Sequence, residues 1–312
     1  MNGVLGVDAG GTSSRAALFT PDGTLVRRGH AAGANPGALG MDRAAANLTA
    51  AVRAALGSAQ VSAVVIGLAG HPDRCRSLTE RVFPPLVPEA APVRIVGDVV
   101  TAFAAGTSSP SGTVLISGTG AIAAKIIDHR PVATADGFGW QLGDEGSAFW
   151  LGRAAARATI RTLATARGGD RSGGGLLAVL VVRHLLPGSA GGDAVAELAA
   201  AVHARSPLAL AELAPLVSEA ARGGDPVAVS IVAEAASRLA KTASEVHEPG
   251  LPIVLAGGVL TADGPVREAV QGHLEGAVTA GDPAGAAAWL AARPFLDPRE
   301  SEARHPRFTR PR

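Results

Sequence analysis

Two short glycine-rich segments, each carrying a threonine, are the residues in this sequence best suited to hold a phosphate chain. The first is Gly10-Gly11-Thr12-Ser13 and the second is Gly118-Thr119-Gly120. Glycine lets backbone N–H groups approach an anion closely, and a threonine hydroxyl adds one more donor. Either segment alone is more typical of an ordinary hairpin turn, but their repetition in one chain favours the binding of a nucleoside triphosphate.

Two aspartates lie where metal binding and proton transfer would need them. Asp8 directly precedes the first turn, where its carboxylate could hold Mg²⁺ through water, or be an ordinary turn aspartate. Asp98 follows the predicted strand 93–96, at the end where open α/β sheets place their ligands. It could accept a proton from a substrate hydroxyl or cap the helix that follows it. The spacing alone leaves both roles of Asp98 open.

Alternating strands and helices are predicted to position these residues. Residues 4–8, 14–19 and 24–28 are predicted to form an antiparallel meander. A helix, two strands and a short helix are predicted after it, at the ranges 42–56, 61–68, 93–96 and 99–105. The pattern then restarts with strands at 113–117 and 121–127, and mostly helices follow before a strand at 253–256. This repeat predicts two lobes, with both glycine turns at a shared cleft.

The composition excludes several other classes of protein. A chain of 312 residues, 47% of them hydrophobic, can bury a large core, and its net charge of +1 gives no general attraction to nucleic acid or acidic membranes. The single cysteine, Cys75, excludes an internal disulfide and a cysteine-bound metal cluster. No signal peptide and no apolar run of about 20 residues is present, so we predict a cytoplasmic protein with no membrane partner.

Two other nucleotide motifs fit the glycine segments poorly. Gly6 and Gly11 have the spacing of a P-loop, but Thr12 stands where that motif needs a lysine. Gly118-Thr119-Gly120 lacks the third glycine of a dinucleotide-binding fingerprint, and a strand rather than a helix follows it. Both motifs are therefore excluded.

Four segments together resemble the BadF/BadG/BcrA/BcrD ATPase family and, within it, the N-acetylglucosamine kinases. The two phosphate motifs of the family are similar to residues 7–14 and 116–120 of this chain. Its most distinctive block is similar to residues 137–147, and its adenosine motif is similar to residues 255–259. The resemblance implies an α/β protein with a two-lobed actin-like ATPase (ribonuclease H-like) fold, in which duplicated mixed-sheet domains enclose an interlobe cleft. The expected parts are an N-terminal lobe over 1–108, a C-terminal lobe over 109–293 and a flexible tail over 294–312.

The resemblance also implies an activity: transfer of phosphate from ATP, with Mg²⁺, to an amino sugar. N-acetylglucosamine, converted to its 6-phosphate, is the expected substrate; free glucosamine, or nucleotide sensing without catalysis, are the alternatives. A homodimer is expected from the same resemblance. The iron–sulfur activators among the relatives do not fit, because a dimer with one cysteine per chain offers two thiolates where a cluster takes four.

Particular residues inherit roles from the resemblance. Asp98 corresponds to the catalytic base, and Gly257-Gly258 to the adenosine-binding turn. The positions matched to the sugar site are Asn35, Gly137, Phe138 and Asp144, in addition to Asp98. The family often has tryptophan at the position of Phe138, which leaves the packing around the sugar substituent open. Whether His71 or Trp140 contacts the sugar is also left open.

Overall fold

The computed structural model describes residues 3–165, 175–188 and 193–310, and it is an α/β structure with two mixed sheets. Each sheet has five strands, in the order β3-β2-β1-β4-β5 for the first and β10-β9-β6-β7-β8 for the second. The strands of the first sheet are β1 Gly3–Ala9, β2 Ser13–Phe19, β3 Leu25–Ala32, β4 Val61–Leu68 and β5 Val93–Gly97. Those of the second are β6 Gly112–Ser117, β7 Ala121–Ile127, β8 Arg130–Asp136, β9 Ile253–Ala256 and β10 Val278–Thr279.

The α-helices fill most of the chain between the strands. Those before the second sheet are α1 Pro36–Leu39, α2 Met41–Leu56, α3 Pro72–Val82 and α4 Asp98–Ala104. Those between β8 and β9 are α5 Ala148–Thr165, α6 Leu176–Leu185, α7 Ala194–His203, α8 Ala214–Arg222 and α9 Pro226–Ser244. Those after β9 are α10 Gly258–Thr261, α11 Pro265–His273, α12 Pro283–Ala292 and α13 Pro298–Thr309. Short 3-10 helices cover Pro207–Leu213 and Arg293–Phe295.

In the first sheet, the strand ends that carry the predicted site residues lie at one edge. The first three strands form the predicted antiparallel meander, and β1, β4 and β5 run parallel to each other. Asp8 is in register with Gly67, and Leu68 is in register with Gly97. Asp8 and Asp98 therefore come at the carboxyl ends of β1 and β5, two parallel strands that lie on either side of β4.

The second sheet repeats this arrangement around β6 and β9. These strands are parallel, with Ile116 opposite Ala256. The turn that follows β6 and the turn that follows β9 are therefore at the same edge of this sheet.

The chain divides into two compact units, and the first of them takes in the C-terminal residues. The first unit contains Met1–Gly112, Ile126–Val132 and Val278–Arg312; the second contains Thr113–Lys125 and Ala133–Ala277. The assignment of residues 278–293 to the C-terminal lobe was therefore wrong. The reason is α12, which is buried almost throughout and packs against β1 so closely that a Cβ at Gly6 would lie 2.0 Å from the carbonyl oxygen of Ala284.

The prediction of a flexible tail over 294–312 was also wrong for its described part. Residues 298–309 form α13, which Asp297 caps by accepting a hydrogen bond from the N–H of Glu300 at 2.9 Å. Phe308 is 1% exposed and its ring centroid lies 4.9 Å from that of Phe19. Burial of these apolar side chains stabilises a helix whose composition, rich in arginine and interrupted by Pro306, is a poor helix signal.

Candidate active site

Asp8, near the end of β1, accepts a hydrogen bond from a threonine hydroxyl that no local sequence pattern predicts. Thr101 on α4 donates a hydrogen bond from Oγ1, placed 3.3 Å from Asp8 Oδ1 and 3.0 Å from the carbonyl oxygen of Asp98. Gly67 makes room for this threonine, because a Cβ there would lie 2.4 Å from Thr101 Oγ1. Thr101 thus ties the Asp8 carboxyl to the backbone of Asp98.

The pKa of Asp8 is raised from its usual range to about 7. Burial is the largest cause, the nearby charge of Asp98 adds to it, and Arg15 opposes it. A carboxylate in these surroundings would be stabilised as an anion by a bound cation, so the site fits Mg²⁺. Within the described ranges no group of three or more His, Cys, Asp or Glu side chains could enclose a metal ion. One carboxylate with water and phosphate oxygens is the usual way in which Mg²⁺ is held.

Asp98 is the first residue of α4, and Gly97 rather than Asp98 is the N-cap. The capping alternative therefore does not describe its position, although its Oδ1 accepts a hydrogen bond from the N–H of Val99 at 3.0 Å. The carboxyl is only partly exposed, and burial raises its pKa. A carboxyl with a raised pKa that still reaches solvent is suited to accept a proton.

The first glycine turn lies beside the loop that carries Asn35. The N–H of Gly10 donates to the carbonyl of Ser13 at 3.0 Å, which closes the turn, and the carbonyl of Gly10 accepts from the N–H of Ala34, also at 3.0 Å. A Cβ at Gly33 would lie 2.1 Å from the carbonyl oxygen of Gly11. Gly11 and Thr12 are themselves exposed, and nothing lies within 4 Å of a Cβ built on Gly10 or Gly11. The backbone of this turn is open to a ligand.

Asn35 is the N-cap of α1, a structural role that the sequence analysis did not consider. Its Oδ1 accepts hydrogen bonds from the N–H of Gly37 at 2.8 Å and of Ala38 at 3.3 Å. The cap fixes the amide group, whose N–H₂ has no partner within the described chain. Asn35 therefore has two donors left for a ligand hydroxyl or carbonyl.

The neighbours of Asn35 connect it to Asp98. A Cβ at Gly70 would lie 3.2 Å from Asn35 Oδ1 and 3.6 Å from the Sγ of Cys75. Burial raises the pKa of the Cys75 thiol, and the charge of Asp98 raises it further. His71 caps α3 through Nδ1, which lies 3.4 Å from the N–H of Asp73, and its side chain is 69% exposed. The first unit thus brings the turn, Asn35, Asp8 and Asp98 to one region.

In the second unit, the Gly118-Thr119-Gly120 turn lies against the start of α5. The carbonyls of Gly118 and Thr119 accept hydrogen bonds from the N–H groups of Ala148 at 2.8 Å and Phe149 at 3.4 Å. The neighbouring turn holds Gly257 at φ +83°, so near β6 that a Cβ would lie 2.3 Å from the carbonyl oxygen of Ser117. A Cβ on Gly258 would meet nothing within 4 Å. The second phosphate segment and the adenosine segment are therefore adjacent.

Asp144 packs directly on this turn. A Cβ at Gly120 would lie 2.8 Å from Asp144 Oδ1, which also accepts a hydrogen bond from the N–H of Ala121 at 3.1 Å. Asp144 is 9% exposed with φ +57°; burial raises its pKa, and the charge of Asp136 adds to the increase.

Asp136, which the sequence analysis did not single out, organises the loop around Asp144. Its Oδ1 accepts hydrogen bonds from the N–H groups of Gly137 and Asp144, each at 2.7 Å, and its Oδ2 accepts one from Glu145 at 2.8 Å. Glu145 in turn forms an ion pair with Arg238. A carboxylate that accepts three N–H groups fixes the backbone that presents Asp144.

Phe138 is 70% exposed, so its ring is not packed into a core. Together with Leu142, which is 82% exposed, it lines a cavity of about 560 Å³. Trp140 instead contacts the ring of Phe149 at 5.4 Å between centroids. Gly137 has φ +78° and lies where a Cβ would approach Ile122 to 2.7 Å.

Sequence reasoning missed Thr101 and Gly33 in the first unit and Asp136 in the second. For Thr101, the partner Asp8 is 93 residues away, so no local pattern reveals the contact. For Asp136, the signal was available: this acidic residue ends β8 immediately before a glycine-rich block, and Asp8 similarly lies one residue before the end of β1 and the first glycine turn.

A family model described as the BadF/BadG/BcrA/BcrD ATPase family matches residues 5–281 of the chain. Among solved structures, a protein of Chromobacterium violaceum provisionally named an N-acetylglucosamine kinase is 26% identical, with a TM-score of 0.75, and the match covers 93% of this chain and 99% of that one. A protein of Porphyromonas gingivalis with the same provisional name is 20% identical, with a TM-score of 0.71, and covers 98% and 99%.

A ROK family glucokinase of Streptomyces griseus, solved with glucose and AMPPNP, is 22% identical with a TM-score of 0.55, over 94% of this chain and 100% of that one. These similarities and the two mixed sheets confirm the predicted fold class. None of the helices in the described part of the chain is both long enough and apolar enough to cross a membrane.

Proposed function

Because the chain belongs to the BadF/BadG/BcrA/BcrD ATPase family, we propose that it is an ATP-dependent kinase that phosphorylates an amino sugar, with N-acetylglucosamine as its substrate. The observation that carries this proposal is Asp98, a carboxyl with a raised pKa next to Asp8 and to the Asn35 loop. The choice of sugar rests on the similarity to the Chromobacterium violaceum protein.

The reaction follows from the residues of the first unit. The substrate hydroxyl oxygen attacks the terminal phosphorus of ATP, the bond between that phosphorus and the ADP oxygen breaks, and the proton of the hydroxyl passes to Asp98. Burial favours the protonated product form of Asp98, which makes it a better base than an exposed carboxylate. The free amide donors of Asn35 would orient the sugar for this transfer.

Each glycine turn has a proposed ligand. The open backbone of Gly10-Gly11-Thr12 and the hydroxyl of Ser13 would hold phosphate oxygens, with Asp8 binding Mg²⁺ through water. When bound, Mg²⁺ neutralises the charge that develops on the phosphates. In the second unit, the Gly118-Thr119-Gly120 turn would bind phosphate, and Gly257-Gly258 would lie against adenosine. Asp144 would accept a hydrogen bond from a sugar hydroxyl, and a homodimer stays a prediction from the sequence.

The test measures coupled ATP consumption with N-acetylglucosamine, glucosamine and glucose as acceptors. We expect the highest kcat/KM with N-acetylglucosamine; preference for glucosamine would retain the kinase and correct the substrate. Asp98→Asn should keep ATP affinity and lower kcat by about 10²–10⁴-fold, because a general base contributes that much.

The matched control is Asp42→Asn, which removes a 91% exposed carboxylate in the first turn of α2. This variant should keep the kcat of the parent protein. Full activity of Asp98→Asn would contradict the role of Asp98 as the base. The absence of ATP consumption with every sugar, while ATP still binds, would contradict the kinase proposal and favour a nucleotide sensor.

A further inference from the structure

A cavity of about 740 Å³ lies in the first unit, at the opposite end of β5 from the candidate active site. Its lining includes Arg94, near the start of β5, whereas Asp98 follows the end of that strand. Because a strand rises about 3.3 Å per residue, the backbone positions of Arg94 and Asp98 are roughly 13 Å apart. The cavity is also lined by Ser109, Trp289, Arg293, Ser301 and Glu302.

Two guanidinium groups line this cavity, and both are held in place. Arg94 donates from Nη2 to the carbonyl oxygen of Leu290 at 3.1 Å, and the guanidinium of Arg293 lies over the ring of Trp289, 5.2 Å from its centroid. Neither arginine has an ion pair among the described residues. Burial lowers the pKa of both, and the charge of Arg293 lowers that of Arg94 further.

Ser301 adds a buried hydroxyl to the same lining. It is 5% exposed, and its Oγ has no hydrogen-bond partner in the part of the chain that the structure describes. Its carbonyl oxygen accepts a hydrogen bond from Nε1 of the buried Trp289 at 2.8 Å, which fixes the position of the residue. A fixed hydroxyl withdrawn from water, with no protein partner, is a donor ready for a ligand.

The other ionisable groups nearby leave the cavity positive. Glu302 lines it but is exposed and pairs with neither arginine. The pKa of His129 is lowered to about 4, mainly by burial and further by the charges of the nearby Arg293 and Arg94. Its ring is therefore neutral at pH 7. Asp128 opposes that shift, and Asp297, just outside the lining, accepts a hydrogen bond from Glu300.

We propose that this cavity binds a phosphate monoester, in addition to the nucleotide and sugar of the candidate active site. Guanidinium groups match phosphate oxygens with paired hydrogen bonds, and two of them balance the charge of a dianion. The hydroxyl of Ser301 supplies a third donor. The volume lies within the range of about 300–1,000 Å³ typical of small-molecule sites, so a phosphorylated metabolite fits.

The experiment measures binding of inorganic phosphate to the full chain by calorimetry at low ionic strength. Arg94→Gln and Arg293→Gln should each weaken binding at this site by about tenfold, because each removes charge-assisted hydrogen bonds to the phosphate. Arg299→Gln is the matched control, since it removes the same charge from an exposed residue that does not line the cavity. It should bind phosphate as the parent protein does.

Further arms identify the source of the phosphate. Glucosamine 6-phosphate and a nucleoside monophosphate are titrated in the same variants, and the ligand whose affinity depends most on the two arginines is the preferred one. If Arg94→Gln does not fold, Arg293→Gln decides alone, because the Arg293 guanidinium makes no hydrogen bond in the described structure. Equal affinities in parent and variants for all three ligands, or an equal loss in Arg299→Gln, would overturn the proposal.

Discussion

The pair Gly257 and Gly258 allows a test in which neighbouring residues should respond differently to the same substitution. Gly257 has φ +83° and approaches the carbonyl of Ser117, whereas a Cβ on Gly258 would meet open space. Gly257→Ala should therefore destabilise the second unit. Gly258→Ala should leave its stability unchanged and act only on a ligand that lies against that backbone.

The size of the first effect follows from two costs. Gly257 combines φ +83° with ψ 153°, a region that almost only glycine occupies, and an alanine held there costs about 1–3 kcal/mol. The new Cβ would also have to move from 2.3 Å to at least 3.0 Å from the carbonyl oxygen of Ser117, and this contact is with backbone. Overpacking of this kind costs roughly 1–3 kcal/mol, so the sum of the two costs is about 2–6 kcal/mol.

Thermal unfolding and ATP kinetics together read out the pair. A loss of about 2–6 kcal/mol lowers Tm by roughly 4–24 °C in a domain of 150–250 residues. Gly257→Ala should show this decrease, and Gly258→Ala should keep the parent Tm while raising KM for ATP about tenfold, or about 1.4 kcal/mol of binding. A Tm of Gly257→Ala within 1 °C of the parent would refute the reasoning about the close approach to Ser117.

Two further predictions concern Asp136 and His129. Asp136→Asn should raise KM for the sugar and lower the melting temperature. One of the three backbone N–H groups that Asp136 accepts would then face an amide N–H₂, at a cost of about 2–4 kcal/mol. Unchanged kinetics and an unchanged melting temperature would exclude a role of Asp136 in holding the loop. The pKa of His129 is lowered from 6.5 to about 4 in the folded protein. Between these two values the unfolded chain binds a proton at this residue and the folded chain does not. The contribution of His129 to stability is therefore fully present above pH 6.5 and is lost as the pH falls toward 4. The free energy of unfolding, measured with urea, should be lower at pH 4 than at pH 7.5 by roughly 3 kcal/mol. His129→Asn has no titrating group at this position and should lose less stability over the same pH range. Equal losses in the parent and the variant would contradict the assignment of this effect to His129.

The parts of the fold that depend on local pattern could be predicted from the sequence. The strands around both glycine turns, and helices such as α2 and α4, were predicted within a few residues because apolar periodicity and glycine punctuation are local signals. α13 could not be predicted, because the contacts of Phe308 with Phe19 and of Trp289 with Ser301 outweigh a poor helix composition.

The candidate site shows the same limit. Asp8, Asp98 and the glycine turns stood out because strand ends and turns are visible in the sequence. Thr101 and Gly33 did not, because their importance depends on contacts with Asp8 and Gly11, which are distant in the chain. Asn35 was assigned a ligand role only, and its use of Oδ1 as a helix cap became visible with the coordinates.

The return of α12 to the first unit has a consequence for the order in which the protein can be made. Its residues Ala284–Ala292 cover β1, yet they are translated after the whole of the second unit. A nascent chain that stops before residue 278 therefore leaves the apolar face of its first sheet open to water, however complete its N-terminal residues are. The unit whose synthesis begins first is therefore completed last, and the apolar face of its sheet is prone to aggregate until α12 has been made.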